Sequence, residues 1–373
     1  MNSQKTLKWT LGALSFIITL VIYTITMQPS VPFWDCGEFS AATTWQQVPH
    51  PPGAPLFLVF SKVFQLIIPF GDLGWRVNMV SVVSTAFFVL LLYLIIIKVI
   101  MNFRTEGIGN INDALGIYGS AFVGAMAFAF CDTVWFNGVE SEVYAASQLF
   151  TTLVVYLMMV WNERADQPGS EKYLLMIFYL IGLSIGVHLL PILTIFSIFM
   201  LVYFRKYEFS IKSFLTMGII ALVSFYVIYK VILMWIPGLL AGNWPIKTEA
   251  REYPIENSIV MTLLGLFLIG IGIWGYFWTG KKNKPFAHLA FASYLMILLG
   301  FTTYAHLLIR SNSNPPMNEN EPKSIKKLIA YLGREQYGEQ VLWPRRTDYN
   351  DELKAYFYNL RDENGNYVYG QWN

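Results

Sequence analysis

Charge is the scarcest commodity in this 373-residue chain: Asp, Glu, Lys and Arg make up only 13% of it, against roughly 25% in an ordinary soluble domain. The basic residues are scattered and build no patch, which excludes nucleic acid as a partner. Cysteine is nearly missing. Cys36 and Cys131 are the two present, too few for a disulfide framework or a cysteine metal motif, with a single bridge between them left as an alternative. No cluster of ligand-bearing residues at metal spacing is evident, so neither a metal nor a cofactor is expected. The first apolar block has the look of a signal-peptide core, but no small-x-small cleavage site follows it. It is therefore expected to be a retained span. Internal repeats and low-complexity segments are also lacking.

What is present is apolar sequence, 55% of the chain, in blocks separated by short polar joints. Inside lipid such a block satisfies its backbone only as a helix, so the pattern predicts an all-α polytopic membrane protein. Nine spans follow: about Trp9 to Thr26, Asn78 to Met101, Leu115 to Phe130, Tyr144 to Trp161, two around a break at His188 to Pro191 (from about Tyr173 and to about Phe204), Phe214 to Trp235, Ile259 to Trp278 and Leu289 to Leu308. The block Leu56 to Phe70 falls short of the ~20 residues needed to cross, and is expected to be an interfacial or re-entrant helix. Residues 1–310 form the predicted transmembrane domain; 311–373 form a linker and a small soluble tail, with helical spacing from Ser324 to Tyr337.

Charge bias sets an orientation. With the N-terminus in the cytoplasm, the inner joints hold ten basic residues, from Lys98 and Arg104 through Arg205 and Lys206 to Lys284. The outer joints hold five: Lys62, Arg76, Lys247, Arg251 and Arg310. That is the asymmetry of the positive-inside rule. Counting Leu56 to Phe70 as a span would reverse it. The loop after the first span, the joint before Tyr144, the turn at His188 and the tail are then all expected on the outer face.

The stretch Val31 to Pro55, VPFWDCGEFSAATTWQQVPHPPGAP, interrupts this apolar pattern with two carboxylates, two tryptophans, a histidine and five prolines. Asp35 and Glu38 are one helical turn apart. A carboxylate at the rim of a membrane cavity can act as general base toward a hydroxyl or stabilise a sugar oxocarbenium-like transition state. The bland alternative is that the pair favours a helix N-terminus through the dipole. Trp34 stands beside them as a substrate-contact candidate. HPPGAP makes a rigid connector, with His50 able to donate into the site. Glu140 and Glu142 read either as solvated loop acids or as groups that bind an acceptor or orient Asp35. His188 ends a span at a depth suited to a headgroup. Arg76 and Arg310 are at home as snorkelling interfacial residues, yet a guanidinium fork also fits a lipid phosphate, with Arg310 preferred.

The run WDCGEFSA (Trp34–Ala41), then HPPGAP (His50–Pro55), GVESEVYA (Gly138–Ala145) and GLSIGVH (Gly182–His188) together resemble one membrane family. It is mostly from Bacteroidetes and related to the vertebrate transmembrane protein O-mannosyltransferase of plexin-type domains. The likeness covers roughly the first 320 residues. It implies a C-type glycosyltransferase-like bundle with a large first outer loop, using a polyprenyl-phosphate sugar without a metal. On that resemblance Asp35 is the base and Glu38 its partner or an acceptor contact. The implied reaction moves a hexose, mannose by analogy, with inversion, to a Ser or Thr hydroxyl of an exported protein. The implied place is a bacterial inner membrane, with the site and the tail in the periplasm. Family members often carry a larger soluble C-terminal portion, so this chain reads as a shorter member or one part of a split protein. The rival expectations are a transporter or lipid flippase, disfavoured by spans nearly free of charge (Lys230 is the clear exception), and a non-catalytic envelope scaffold.

Overall fold

A computed structural model describes residues 2–104, 106–244 and 255–337, and the backbone of 347–350, 355–361 and 367–371. Lys247 and Arg251 of the outer-joint tally lie outside the described residues. The chain divides into two compact units, Met1–Gly333 and Arg334–Asn373.

Among the described residues the first unit is built from helices. In chain order it contains α1 (Asn2–Thr26), α2 (Cys36–Trp45), α3 (Pro55–Ile67), α4 (Leu73–Phe103), α5 (Ile111–Ala129), α6 (Asp132–Gly138), α7 (Val143–Arg164) and α8 (Glu171–Ile185). After the 3₁₀ turn Leu190–Leu193 come α9 (Thr194–Lys206) and α10 (Ile211–Tyr226). The latter runs on through a π-helical stretch, Val227–Trp235, into α11 (Ile236–Leu240). Then follow α12 (Ile259–Lys281), α13 (Pro285–Phe301), α14 (Ala305–Asn312) and α15 (Ile325–Leu332). Several starts are visible in the sequence as caps. Asp72 accepts from Trp75 N at 2.8 Å, Asn110 from Asp113 N at 3.0 Å and Ser210 from Ser213 N at 3.2 Å. The second unit contains a small antiparallel sheet, β1 (Thr347–Asn350), β2 (Ala355–Arg361) and β3 (Tyr367–Gln371), in that order. Thr347 pairs with Tyr358, and Arg361 with Tyr367. The tyrosine-rich tail, expected only as a soluble appendage, thus contributes strands.

All nine expected spans are helical. Among the described residues six helices are long and apolar enough to cross a membrane, or up to seven if α5 and α6, bent by 67°, count as one span. The remaining two are α8 and α9. At 15 and 13 residues they reach only ~22 and ~20 Å at 1.5 Å per residue, short of a ~30 Å hydrocarbon core. Pro191, inside the 3₁₀ turn, and the turn before it are why the apolar run there does not continue as helix. The Leu56 to Phe70 block is the 13-residue α3, likewise too short to cross.

Polar contacts separate the first unit into two ends. At one, the hydroxyl of Tyr93 donates to the Lys8 carbonyl (2.8 Å), Lys98 pairs with Glu163 (2.6 Å), and Lys206 with Asp166 (2.9 Å), which also meets Arg205. The acids Glu163 and Asp166 are thereby held by the bases of neighbouring helices. At the other end lie the first loop, the α6–α7 joint, the turn at His188 and the chain after α14. Asn78 donates to the carbonyls of Gln28 (3.0 Å) and Ser30 (2.9 Å), Gln28 N to Val139 O (3.2 Å), and Leu56 N to Gly186 O (2.8 Å). The core between the ends is apolar, and α8 and α13 touch through Gly182 and Gly300, where any Cβ would strike the facing backbone.

The expected domain limit at Arg310 does not coincide with the edge of the first unit. The chain runs on in that unit to Gly333, because the linker is bonded to the first loop. Val48 N donates to Met317 O and Glu319 N to Val48 O, both 3.1 Å, while Met317 N donates to the Gln47 side chain at 2.6 Å. The Tyr331 hydroxyl donates to the carbonyl of Pro49 and, at 3.2 Å, to that of His50. Gly53, at φ 86°, sits under this brace, where a Cβ would run into Tyr331 and Leu307. Gly53→Ala should lower stability by about 1–3 kcal/mol, read as a drop in melting temperature of the detergent-solubilised protein. An unchanged melting temperature would mean that the brace is not needed for the fold.

Candidate functional site

The first loop folds Val31 to Pro55 around α2. Asp35 stands at the N-cap position of that helix, and its carbonyl accepts from Phe39 N at 2.9 Å. Glu38 lies in the first turn. At the other end Gln46 takes a left-handed conformation (φ 50°), and Gln47 N closes onto Ala42 O at 2.8 Å, a C-terminal cap that turns the chain toward His50. The side chains of Asp35 and Glu38 therefore share a face, and His50 returns to meet both.

His50 bridges the pair. Its backbone N–H donates to Glu38 Oε1 at 2.6 Å and its Nδ1 lies 2.6 Å from Glu38 Oε2, while Nε2 is 3.8 Å from Asp35 Oδ2. Glu38's hydrogen bond is the largest influence on the imidazole and pushes its pKa up. Burial opposes this, and the charges of Glu38, Asp35 and Glu319 add to it. The ring is thus biased toward imidazolium with both ring nitrogens as donors. Glu38 has both oxygens engaged. Asp35 keeps its carboxylate 60% exposed.

Glu140 and Glu142 are not solvated. They are 6% and 8% exposed, packed where the α6–α7 joint lies on α2. The Ser141 hydroxyl donates to the Cys36 carbonyl (3.3 Å), the Ser81 hydroxyl to the Glu142 carbonyl (3.2 Å), and the Cys36 thiol to Glu142 Oε1 (3.7 Å). Burial raises the Glu142 pKa to about 7, with the negative charges of Asp35 and Glu140 adding to it; burial raises Glu140 as well. Burial, followed by Glu142, pushes the Cys36 thiol up to about 12, so it is not a thiolate nucleophile at neutral pH. Cys36 and Cys131 are both free, and the alternative of a bridge is not realised.

The remaining candidates separate. Trp34, at φ 63°, is 84% exposed beside Asp35. The His188 ring packs at a tilt near that of Tyr144, 5.5 Å between centroids, and Tyr144 follows Glu142 by two residues. Both arginines are engaged with backbone. Arg76 donates to the carbonyls of Gln65 (3.0 Å), Phe70 (3.1 Å) and Gly71 (3.2 Å), and Arg310 to those of Gln46 (2.6 Å) and Trp45 (3.0 Å). Residues that sequence alone passed over include Cys36, Ser81, Ser141, Tyr144 and Glu319. No local signal marks them, since each acts through a partner distant in the chain.

Asp35, Glu38 and His50 each offer one ligand atom, all within 4.8 Å of one another, a set that can hold a divalent cation. His50 must be neutral to do so, and its raised pKa works against that near neutral pH.

Both titrations weaken the loop as pH rises. The raised His50 pKa stabilises the pair fully below the ordinary histidine value, and that contribution is lost as pH rises through the raised one. Glu142, whose pKa is raised from 4.5 to about 7, costs stability as pH climbs through that interval, because its buried carboxylate must ionise. Melting temperature should therefore fall as pH rises from about 4.5 to about 7, and fall further as pH passes through the raised His50 value, and Glu142→Gln should flatten the part of the fall below about pH 7. An identical profile in the variant would mean that Glu142 does not titrate there.

Residues 35–211 match the model of the family described as the protein O-mannosyl-transferase TMEM260 N-terminal domain. Two relatives named protein O-mannosyl-transferase TMEM260 are similar to this chain. The one from Dictyostelium discoideum is 26% identical over 162 residues, 43% of this chain and 18% of that protein. The one from Mus musculus is 28% identical over 182 residues, 48% of this chain and 24% of that protein. The match thus spans about a quarter or less of the length of these curated relatives. No solved structure matches.

Proposed function

From a chain related to the TMEM260 O-mannosyltransferase family, we propose a membrane protein O-glycosyltransferase that moves a hexose, mannose by analogy, from a polyprenyl-phosphate carrier to a Ser or Thr hydroxyl of an exported protein. Asp35 takes the hydroxyl proton, the hydroxyl oxygen bonds to the anomeric carbon, and the bond from that carbon to the phosphate oxygen breaks. The products are the inverted glycoside and the free polyprenyl phosphate. The observation that carries this reading is the division of labour between the carboxylates. Glu38 has both oxygens engaged by His50, whereas Asp35 faces outward from α2 with only a 3.8 Å approach from the same ring.

In this reading His50 and Glu38 position Asp35. Trp34 offers an exposed ring for a sugar or an acceptor side chain. Glu142, buried beside α2 with its pKa raised to about 7, supports that helix through its contact with the Cys36 thiol. Arg310 holds the C-terminal end of α2, and with it the whole loop, at the height of the donor phosphate. The site faces away from the cytoplasm, in bacteria toward the periplasm. The cluster of Lys98, Arg205 and Lys206 at the opposite end of the bundle supports that orientation. No metal takes part.

Asp35→Asn should lower transfer of sugar to an exported acceptor by at least about a hundredfold while the protein still inserts and melts normally, as judged by intact mass of the acceptor. Retained transfer removes Asp35 from the base role. Transfer should also persist in excess EDTA. Loss in EDTA, restored by a divalent cation, would instead put a metal on Asp35, Glu38 and His50.

A further inference from the structure

The three side chains at the mouth of the first loop are arranged for a task that the transfer reaction does not use. Glu38 Oε2 lies 2.6 Å from His50 Nδ1, and Glu38 Oε1 takes the backbone N–H of the same residue at 2.6 Å. A carboxylate oxygen accepts, so Nδ1 carries a proton. The other ring nitrogen, Nε2, faces Asp35 Oδ2 at 3.8 Å. A carboxylate behind one imidazole nitrogen fixes the ring and strengthens the other nitrogen as a metal ligand.

The spacing suits a small tetrahedral ion. Two donors each about 2.1 Å from zinc stand about 3.4 Å apart. The gap between Nε2 and Oδ2 is slightly wider, and the Asp35 side chain, 60% exposed, has room to close it. Among the described residues, this is the one group of three His, Cys, Asp or Glu whose ligand atoms come within 4.8 Å of one another. The negative charges of Glu38, Asp35 and Glu319 all reach the ring, so the local field favours a cation as well. A nitrogen donor beside a carboxylate selects zinc over magnesium and calcium, which take about six or more oxygen ligands.

We propose that zinc binds reversibly to His50 Nε2 and Asp35, with Glu38 orienting the imidazole and water completing the shell, and that the bound ion switches transfer off. On binding, a bond forms from zinc to Nε2 and another to the Asp35 carboxylate. A proton held on Nε2 leaves for solvent. The metal lowers the basicity of the carboxylate, and its waters occupy the place of the acceptor hydroxyl. The inference rests on the proposed reaction in one respect, that Asp35 is the base. A resident catalytic zinc has a larger set of protein ligands, so this ion exchanges. Its removal by a chelator returns the carboxylate to use, in keeping with a transfer that needs no metal.

The test uses the full chain in phosphatidylcholine nanodiscs, purified without a histidine tag and stripped with EDTA. Zinc chloride is the probe, with magnesium and calcium chloride as comparators. Calorimetric titration should show a single zinc site in the micromolar range. Asp35→Asn, Glu38→Gln and His50→Gln should each weaken it by at least about tenfold, whereas His188→Gln and His306→Gln should leave it unchanged. Zinc X-ray absorption should show one imidazole in a shell of nitrogen and oxygen; a sulfur neighbour would put the ion on a cysteine and overturn the site. That spectrum and the titration use the wild type, so they test the site even if a substitution unfolds the loop. Zinc should slow wild-type transfer in step with occupancy, and EDTA should restore it. Equal inhibition by magnesium or calcium overturns the choice of ion. A wild-type chain that binds no zinc, or binding that survives all three substitutions, overturns the site and leaves the transferase reading standing. Zinc bound there without loss of transfer overturns the switch, while Asp35→Asn assayed in EDTA decides the base role independently.

Discussion

The site depends on a brace between two distant parts of the chain. Helix α2 has only ten residues, fewer than an isolated helix needs to persist in water, so its position must be imposed from outside. Arg310 does this from one side by donating to the last carbonyls of α2, and Tyr331 from the other by donating to the carbonyls of Pro49 and His50. Between them the Val48 backbone pairs with Met317 and Glu319. Each bond is an ordinary one, worth about 1 kcal/mol net. Together they fix His50 opposite Asp35 and Glu38, and everything chemical about the loop follows from that placement.

The brace also determines which acids are available for chemistry. Four carboxylates gather where α2 meets the α6–α7 joint. Glu140 and Glu142 are buried there, which disfavours their ionised forms. Glu38 is paired with His50 through both of its oxygens. Asp35 remains exposed at the mouth of the cluster. An exposed carboxylate at the mouth of a cluster whose other acids are buried or paired is an arrangement that suits a general base. The family match covers residues 35–211, which takes in these acids, His50 and His188. Arg310 and Tyr331 lie beyond it, so in this chain the matched segment is held in place by a part that the match does not reach.

Much of the fold was legible in the sequence because lipid imposes a simple rule on it. Every apolar block had to become a helix, and each did. Asp72, Asn110 and Ser210 stand where they cap, and the Leu56 to Phe70 block was too short to cross and is the short α3. Crossing length in α8 and α9 was less legible, because a helical turn can be lost to a proline and a 3₁₀ segment without any change in hydropathy. The linker was read as a boundary for a related reason. SNSNPPMNENEP is polar enough to be a free loop, and its bonds to Val48 and Gln47 use backbone groups that composition does not report.

For the site the sequence by itself singled out Val31 to Pro55, put Asp35 and Glu38 one turn apart, and supplied His50, Glu140, Glu142 and His188 as candidates. These are properties of residue type and spacing along one chain. Tertiary structure alone decided that His50 bridges the two carboxylates, that Glu140 and Glu142 are buried, and that the arginines hold backbone. Each of these is a matter of distance between segments tens to hundreds of residues apart. Protonation, burial and ion pairing depend on those distances, whereas helical periodicity depends only on neighbours in the chain.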